Sequence, residues 1–223
     1  MLNQIWTDDD YVYAATSSGL DIIEIESEQR YAYITYGGGF TTTWADSTKV
    51  YLGTTASGVK YINKTCISGS IVSPYELSIC LTDYLNTPDI LSDQIIYIHG
   101  NGGYLAISTA SGIDAKGPSV SGYTYVGLAS KVFATSLGEV YYITGSGTNK
   151  QVNVVDEING YWSEPDTIYT TNSFILGNVD LFDMFVTEGT SDTGVSNTLF
   201  LATSSGVYII DEELYTSNIY YTT

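Results

Sequence analysis

VYAATSSGLDII (residues 12–23) and LFLATSSGVYII (residues 199–210) lie near opposite ends of the chain and share one pattern. An apolar half leads into Thr-Ser-Ser-Gly, and a second half follows with alternating apolar positions. That is a β-hairpin written in sequence. Searching outward for the same pattern comes first, because a missed repeat misassigns a whole fold. VYLGTTASGVKYI (50–62), IYIHGNGGYLAI (96–107) and VFATSLGEVYYI (132–143) complete five copies, the third being the least regular. Gly19, Gly58, Gly103, Gly138 and Gly206 fall at the turns, where glycine supplies a positive φ that a β-branched residue resists.

Each hairpin has a candidate strand on either side. QIWTDDD, TTWADST, ILSDQ, VGLAS and DMFVTEG precede the five copies, and YAYITY, ELSICLT, PSVSGY, QVNVVDE and NIYYTT follow them. Four strands per unit, at a mean spacing of about 47 residues, predict an all-β propeller of five blades of four antiparallel strands. The chain is then one domain, with approximate blades 1–36, 37–84, 85–121, 122–160 and 161–223. The last step is the longest and holds GYWSEPDTIYTTNSF and a loop insertion, TEGTSDTGVSN, with room for a degenerate sixth blade. Closing the ring makes the first and last blades neighbours. No segment sustains helical periodicity.

Composition narrows function by exclusion. The 223 residues carry 7 Lys and Arg against 25 Asp and Glu, a net charge of −18 that repels phosphate backbones and argues against nucleic acid. No apolar run approaches the roughly 18 residues of a membrane span, so membrane insertion is not expected. The N-terminus lacks a basic start and an apolar stretch, so no secretory signal is read there. With so few bases, Thr, Ser, Asn, Gly and 21 Tyr must supply much of the surface, a composition suited to weakly charged contacts.

Three repeats, VYAATSSGLDII, VYLGTTASGVKYI and LFLATSSGVYII, resemble propeller repeats with an apolar pair, then Gly or Ala, Thr and a Gly turn, as found in bacterial sensor proteins. The low-lysine, Tyr- and Thr-rich style is similar to propellers among the structural proteins of tailed bacteriophages. The phage resemblance implies a non-enzymatic virion protein, made in the host cytoplasm, that attaches to other virion proteins on capsid or tail, with host-surface adhesion and homo-oligomerisation as further roles. The alternative is a glycan-binding lectin with an aromatic platform between blades. A fully repeated lectin site should recur in every blade, and Trp6 and Trp44 have no Trp counterpart in the other three.

No catalytic residue is expected. A glycosidase needs two carboxylates facing across a sugar, but Asp8, Asp46 and Asp93 recur before successive hairpins, which points to turn capping through Asx-type hydrogen bonds. P-loop, GxSxG and HExxH motifs are absent. Calcium is the one weak cofactor option, with Asp8, Asp9, Asp10 and the stretch from Glu188 to Asn197 offering oxygen ligands without EF-hand spacing. Cys66, Cys80 and His99 fall short of a zinc set. The two cysteines are expected on neighbouring outer strands of one blade; buried free thiols are favoured there over a cross-strand disulfide. Asn63-Lys64-Thr65 matches a glycosylation sequon. Tyr161 and Trp162, in the long inter-blade segment, are the candidate partner contact, since loop aromatics often anchor interfaces.

Overall fold

The computed structural model describes all residues except 69–74, 119–121, 128, 148, 159–160, 164–165, 171–179, 192–193, 212–215 and 221–223. Five antiparallel sheets follow one another along the chain as the blades of a propeller. Blade one holds β1 (Leu2–Thr7), β2 (Tyr11–Thr16), β3 (Gly19–Glu24) and β4 (Gln29–Thr35). Blade two holds β5 (Thr42–Ala45), β6 (Lys49–Gly53) and β7 (Val59–Asn63), then leaves the sheet through a helical turn, α1 (Lys64–Ile67). A two-residue β8 (Tyr75–Glu76) and a 3-10 turn (Ser78–Cys80) precede its outer strand, β9 (Thr82–Leu85). Blade three is β10 (Ile95–Asn101), β11 (Tyr104–Thr109), β12 (Gly112–Lys116) and β13 (Tyr123–Val126).

Blade four is β14 (Ala129–Ala134), β15 (Glu139–Thr144) and β16 (Gln151–Ile158), with its outer edge divided between β17 (Tyr161–Trp162) and β18 (Asp166–Thr170), both paired to β16. Blade five is β19 (Leu181–Ser191), β20 (Gly194–Thr203), β21 (Gly206–Asp211) and β22 (Thr216–Tyr220). Among the described residues the long last step therefore holds the edge of blade four and two lengthened strands, and no sixth sheet. The described residues of TEGTSDTGVSN belong to β19 and β20, whose pairing continues to Ser191↔Gly194, rather than to a loop inserted between strands; residues 192–193 lie outside the described residues.

One turn repeats with the same chemistry between the second and third strands of a blade. Thr16 Oγ1 donates to the Gly19 carbonyl at 3.0 Å and accepts from the Ser18 amide at 3.2 Å. Thr54 with Gly58 and Ser57, and Thr203 with Gly206 and Ser205, do the same. In blade three this turn is made by Thr109, Ser111 and Gly112. The third copy is therefore LAISTASGIDA (105–115), one strand later than IYIHGNGGYLAI. Gly103 and Gly138 lie between the first and second strands of their blades, not at the repeated turn.

The same one-strand offset affects VFATSLGEVYYI, which spans β14 and β15. It also leaves ILSDQ ahead of β10, and VGLAS runs only from the end of β13 into β14. Among the following strands, β13 takes only the last residue of PSVSGY, and residues 119–121 of that stretch lie outside the described residues. The offset arises because in blades three and four the first hairpin also closes on glycine, at Gly103 and Gly138, between apolar strands, so spacing alone does not tell it from the second. What does tell them apart is the carbonyl of the fourth strand. A Cβ on Gly19 would lie 1.8 Å from the Ile34 oxygen, and one on Gly112 would lie 1.9 Å from the Tyr125 oxygen.

The middle strands are buried on both faces, continuously along β11 (Tyr104–Thr109) and over most of β6 and β15, because neighbouring blades cover each sheet from either side. Tyr13, Leu20 and Ile22 meet Val50, Leu52 and Ile62 between blades one and two. Val59 and Leu85 meet Ile98 and Ile107 in the next space. Ile113 and Ala106 meet Val132 and Val140 in the third, and Ile143 and Val154 meet Leu199, Leu201 and Ile210 in the fourth. Among the described residues no such cluster joins blade five to blade one, and Ile5 on β1 and Phe182 on β19 are exposed.

Cys66 and Cys80 form a disulfide, with Cα atoms 6.6 Å apart, which corrects the expectation of free thiols on outer strands. The stretch ELSICLT is not one strand either. Tyr75 and Glu76 instead pair in parallel with Ala32 and Tyr33 of β4, on the edge of blade one. The chain thus crosses to its neighbour and returns through the 3-10 turn before β9. The disulfide ties the outgoing helical turn to the returning one, a constraint that spacing along one blade does not reveal.

Candidate functional site

The first strand of each blade lies innermost, and each contributes one aromatic residue to a chain of ring contacts. Trp6 of β1 and Trp44 of β5 have ring centroids 6.4 Å apart, and His99 of β10 lies 5.4 Å from Trp6 and 6.3 Å from Trp44. His99 stacks on Phe133 of β14 at 3.6 Å, and Phe133 meets Phe185 of β19 edge-on at 5.2 Å. Opposite them on the second strands stand Tyr13, Tyr51, Ala106, Tyr141 and Phe200. All five inner aromatics line one cavity of about 930 Å³ at one end of the propeller.

The turns that follow these strands form the rim. Asp8 Oδ1 accepts from the amides of Asp10 (3.0 Å) and Tyr11 (2.8 Å), while Oδ2 accepts from Tyr13 Oη (2.7 Å) and Lys64 Nζ (2.6 Å). Asp46 repeats the device: Oδ1 accepts from the Thr48 and Lys49 amides (2.6 and 2.7 Å), and Oδ2 from Tyr51 Oη (3.0 Å). Burial alone would raise both carboxyls, yet these hydrogen bonds, with Lys64 adding its own to Asp8, hold both below the usual carboxylate range. The partner tyrosines Tyr13 and Tyr51 are pushed well up, by burial first and by the adjoining carboxylate second.

Asp93 does not belong to this set. It precedes β10 and accepts from the Thr87 amide and hydroxyl (2.7 and 3.1 Å). Its place in blade three is taken by Asn101, whose Nδ2 donates to Glu188 Oε1 at 2.9 Å. Glu188 also accepts from the Ser136 amide and hydroxyl, so one carboxylate of blade five ties together the turns of blades three and four. In blade four Thr135 Oγ1 bonds to Glu139 at 3.0 Å.

The oxygens considered for calcium are thus engaged in turn hydrogen bonds at Asp8 and Glu188. Among the described residues no three His, Cys, Asp or Glu side chains gather as a metal site; residues 192–193 of the second stretch lie outside that set. No helix among the described residues is long and apolar enough to cross a membrane.

His99 is 3% exposed, and burial pushes its imidazole down to about 3, so it is neutral at ordinary pH. Its Nδ1 accepts from the Ala134 amide at 3.1 Å, which places the ring proton on Nε2. Trp44, 7% exposed, has an indole Nε1 with no acceptor among the described residues.

Tyr161 and Trp162 lie away from the cavity, on β17. Tyr161 is 78% exposed, whereas Trp162 turns inward and meets Tyr104 edge-on at 6.3 Å. Sequence reasoning found Trp6 and Trp44 as a matched pair but missed His99, Phe133 and Phe185 as their counterparts. The signal was an aromatic, small or branched, polar triplet before each inner turn: Trp6-Thr7-Asp8, Trp44-Ala45-Asp46, His99-Gly100-Asn101, Phe133-Ala134-Thr135 and Phe185-Val186-Thr187. Looking for tryptophan alone hid it.

No protein-family model matches the chain, and no curated protein matches it. Solved structures do. The extracellular domain of a putative one component system from B. thetaiotaomicron superposes with a TM-score of 0.62 at 16% identity, over 99% of this chain and 30% of that one. The extracellular domain of a putative hybrid two component system from the same organism gives 0.61 at 14%, over 100% and 28%. Kuenenia stuttgartiensis hydrazine synthase gives 0.58 at 12%, over 92% and 62%. The chain spans under a third of the first two structures. These likenesses lend no support to a resemblance to tailed-phage propellers; they and the sheet order show that the chain folds as a five-bladed β-propeller.

Proposed function

We propose that this chain is a non-enzymatic recognition module that receives its ligand in the cavity at the end of the propeller axis. The observation that carries the reading is the convergence of one aromatic from every blade, Trp6, Trp44, His99, Phe133 and Phe185, on the wall of a single cavity. Large concave sites with apolar walls and a few placed polar groups are the usual form of ligand sites. The extracellular sensor domains that share the fold agree with such a role. The state of the acids supports a role without catalysis. Glycoside hydrolysis needs one carboxyl kept protonated, and Asp8 and Asp46 are both held in the ionised form.

The test pairs binding with turnover. Wild-type protein is titrated with neutral oligosaccharides, uronic-acid oligosaccharides and choline while tryptophan emission is followed, and is incubated with nitrophenyl glycosides. The expected result is a saturable emission change with one ligand class and no glycoside cleavage. Cleavage that falls on Asp8→Asn or Asp46→Asn would overturn the reading.

Attachment to a tailed-phage particle, through capsid or tail proteins, is the second reading. The lysine-poor, Tyr- and Thr-rich composition favours it, and sedimentation of the protein with intact particles is its test.

A further inference from the structure

We infer that the ligand of the axial cavity is a small organic cation of the alkylammonium class, an inference that rests on the recognition reading above. Charge is the first ground. Asp8, Asp9, Asp46 and Glu188 line the cavity against one base, Lys64, in a chain whose net charge is −18. Lys64 is already committed, paired with Asp8 and lying over the Tyr13 ring at 6.0 Å. Asp9 is exposed, and its carboxylate accepts no hydrogen bond among the described residues. Carboxylates gathered around a concavity with low-dielectric walls repel one another and focus a negative potential into it. An entering cation relieves that repulsion, an anion worsens it, and a neutral ligand leaves it in place.

The second ground is what the acids no longer offer. Asp8 and Asp46 each give both oxygens to protein donors. Glu188 gives both of its own to Asn101 and Ser136. Their charge acts through space and survives these bonds, whereas their lone pairs are largely taken. A dehydrated metal ion needs several converging oxygens, and no such group gathers among the described residues. An alkylammonium ion needs only the field and an apolar surface to lie on.

Ring faces are the third ground. Five of the seven basic residues lie over a tyrosine ring, the nearest being Lys131 over Tyr97 at 4.1 Å and Arg30 over Tyr33 at 4.4 Å. Among the described residues no Lys or Arg lies over Trp6, Trp44, Phe133 or Phe185, so the rings of the cavity wall are without a cation of the protein's own. Phe185 is 50% exposed although it sits on an innermost strand, so packing does not account for its ring, and Trp6 is also partly exposed. Aromatic faces attract cations within about 6 Å of the ring centre, most strongly where water is excluded. At about 930 Å³ the space lies within the range of small-ligand sites.

The experiment titrates the whole chain, by calorimetry and tryptophan emission, with choline and cadaverine, each beside its uncharged counterpart, dimethylbutanol and pentanediol. The neutral and uronic-acid oligosaccharides of the recognition test are run alongside. Phe185→Leu keeps apolar bulk in the wall and deletes the ring, and circular dichroism and melting check its fold. At least one of the two cations should bind where its uncharged counterpart does not, with affinity falling as salt is raised. Phe185→Leu should weaken that binding about three- to thirtyfold, the range for one cation–π contact. The comparison of each cation with its counterpart is made on wild type and decides the charge question without the variant. An alcohol that binds as well as its charged partner, or binding confined to oligosaccharides, overturns the cation and leaves the cavity's role as a ligand site standing. Cation binding that Phe185→Leu leaves untouched overturns the assignment to this cavity. Silence from every probe, in calorimetry and emission alike, overturns the recognition reading itself.

Discussion

Replacing Gly112 by alanine tests whether the third blade is threaded as described, because Gly103 and Gly112 exchange importance if it is not. In the observed threading a Cβ at Gly112 lands 1.9 Å from the Tyr125 carbonyl oxygen and 2.7 Å from Leu91 Cδ1, at a φ of 150°. At Gly103 the φ is 90°, but the nearest atom outside its turn is Pro118 Cβ at 3.7 Å. Backbone strain of about 1–3 kcal/mol applies to both positions. Only Gly112→Ala must also push a strand carbonyl aside, at the pairing of β12 with β13, for roughly one further hydrogen bond or two at about 1 kcal/mol each. Gly112→Ala should therefore cost about 2–5 kcal/mol and Gly103→Ala about 1–3. For a chain of this size each kcal/mol moves Tm by roughly 2–4 °C. In melting followed by circular dichroism, Tm should fall by about 10 °C for Gly112→Ala and by about 6 °C for Gly103→Ala. A Gly103 variant as damaged as the Gly112 variant would refute the threading.

Three further outcomes follow from particular contacts. His99 has a folded pKa of about 3 against an ordinary 6.5, so the unfolded chain binds a proton that the folded chain refuses. Stability present above pH 6.5 is then lost as pH falls toward 3, by about 2 kcal/mol between 6.5 and 5. Asp8 and Asp46 add loss in the same direction at lower pH, while the raised carboxyl of Asp114 opposes it. The Tm of His99→Phe should fall less steeply between pH 7 and 5 than that of wild type; an unchanged slope contradicts the assignment. Reduction of the Cys66–Cys80 bond opens a loop of 14 residues, for about 3 kcal/mol in the chain-entropy account. Alkylation followed by mass spectrometry should find both cysteines blocked before reductant is added, and free thiols there would be decisive against the bond. Asp46→Ala removes the acceptor for the Thr48 and Lys49 amides and for the Tyr51 hydroxyl. Urea unfolding should register about 1.5–3 kcal/mol, and a loss under 0.5 would show the cap to be dispensable.

How far the sequence could be read depended on how local each signal was. The Thr-Ser-Ser-Gly turns at 16–19 and 203–206 and the turn ending at Gly58 lie within a few residues, and their geometry follows from Thr Oγ1 and glycine alone. Asp8 and Asp46 were legible as turn caps for the same reason, their amide partners lying two and three residues ahead. Blade three was displaced by one strand because IHGNGGY also closes on glycine, and the feature that separates the two turns, the Tyr125 carbonyl beside Gly112, comes from a strand not yet placed. The disulfide was missed because the chain after Asn63 leaves its blade to pair with β4, a tertiary event without a local mark. Calling Trp6 and Trp44 a pair was correct but incomplete. Position on the axis imposes an aromatic face without imposing tryptophan, so His99, Phe133 and Phe185 fill the same role with different residue types.

The most direct measurement is the indole N–H region of a proton–nitrogen correlation spectrum, in which Trp6, Trp44 and Trp162 each give one signal. Titration with whichever ligand class changes the tryptophan emission should shift Trp44 and Trp6, on the cavity wall, and leave Trp162, packed on β17, in place. Movement of Trp162 alone, or saturation of binding with all three signals still, would contradict an axial site.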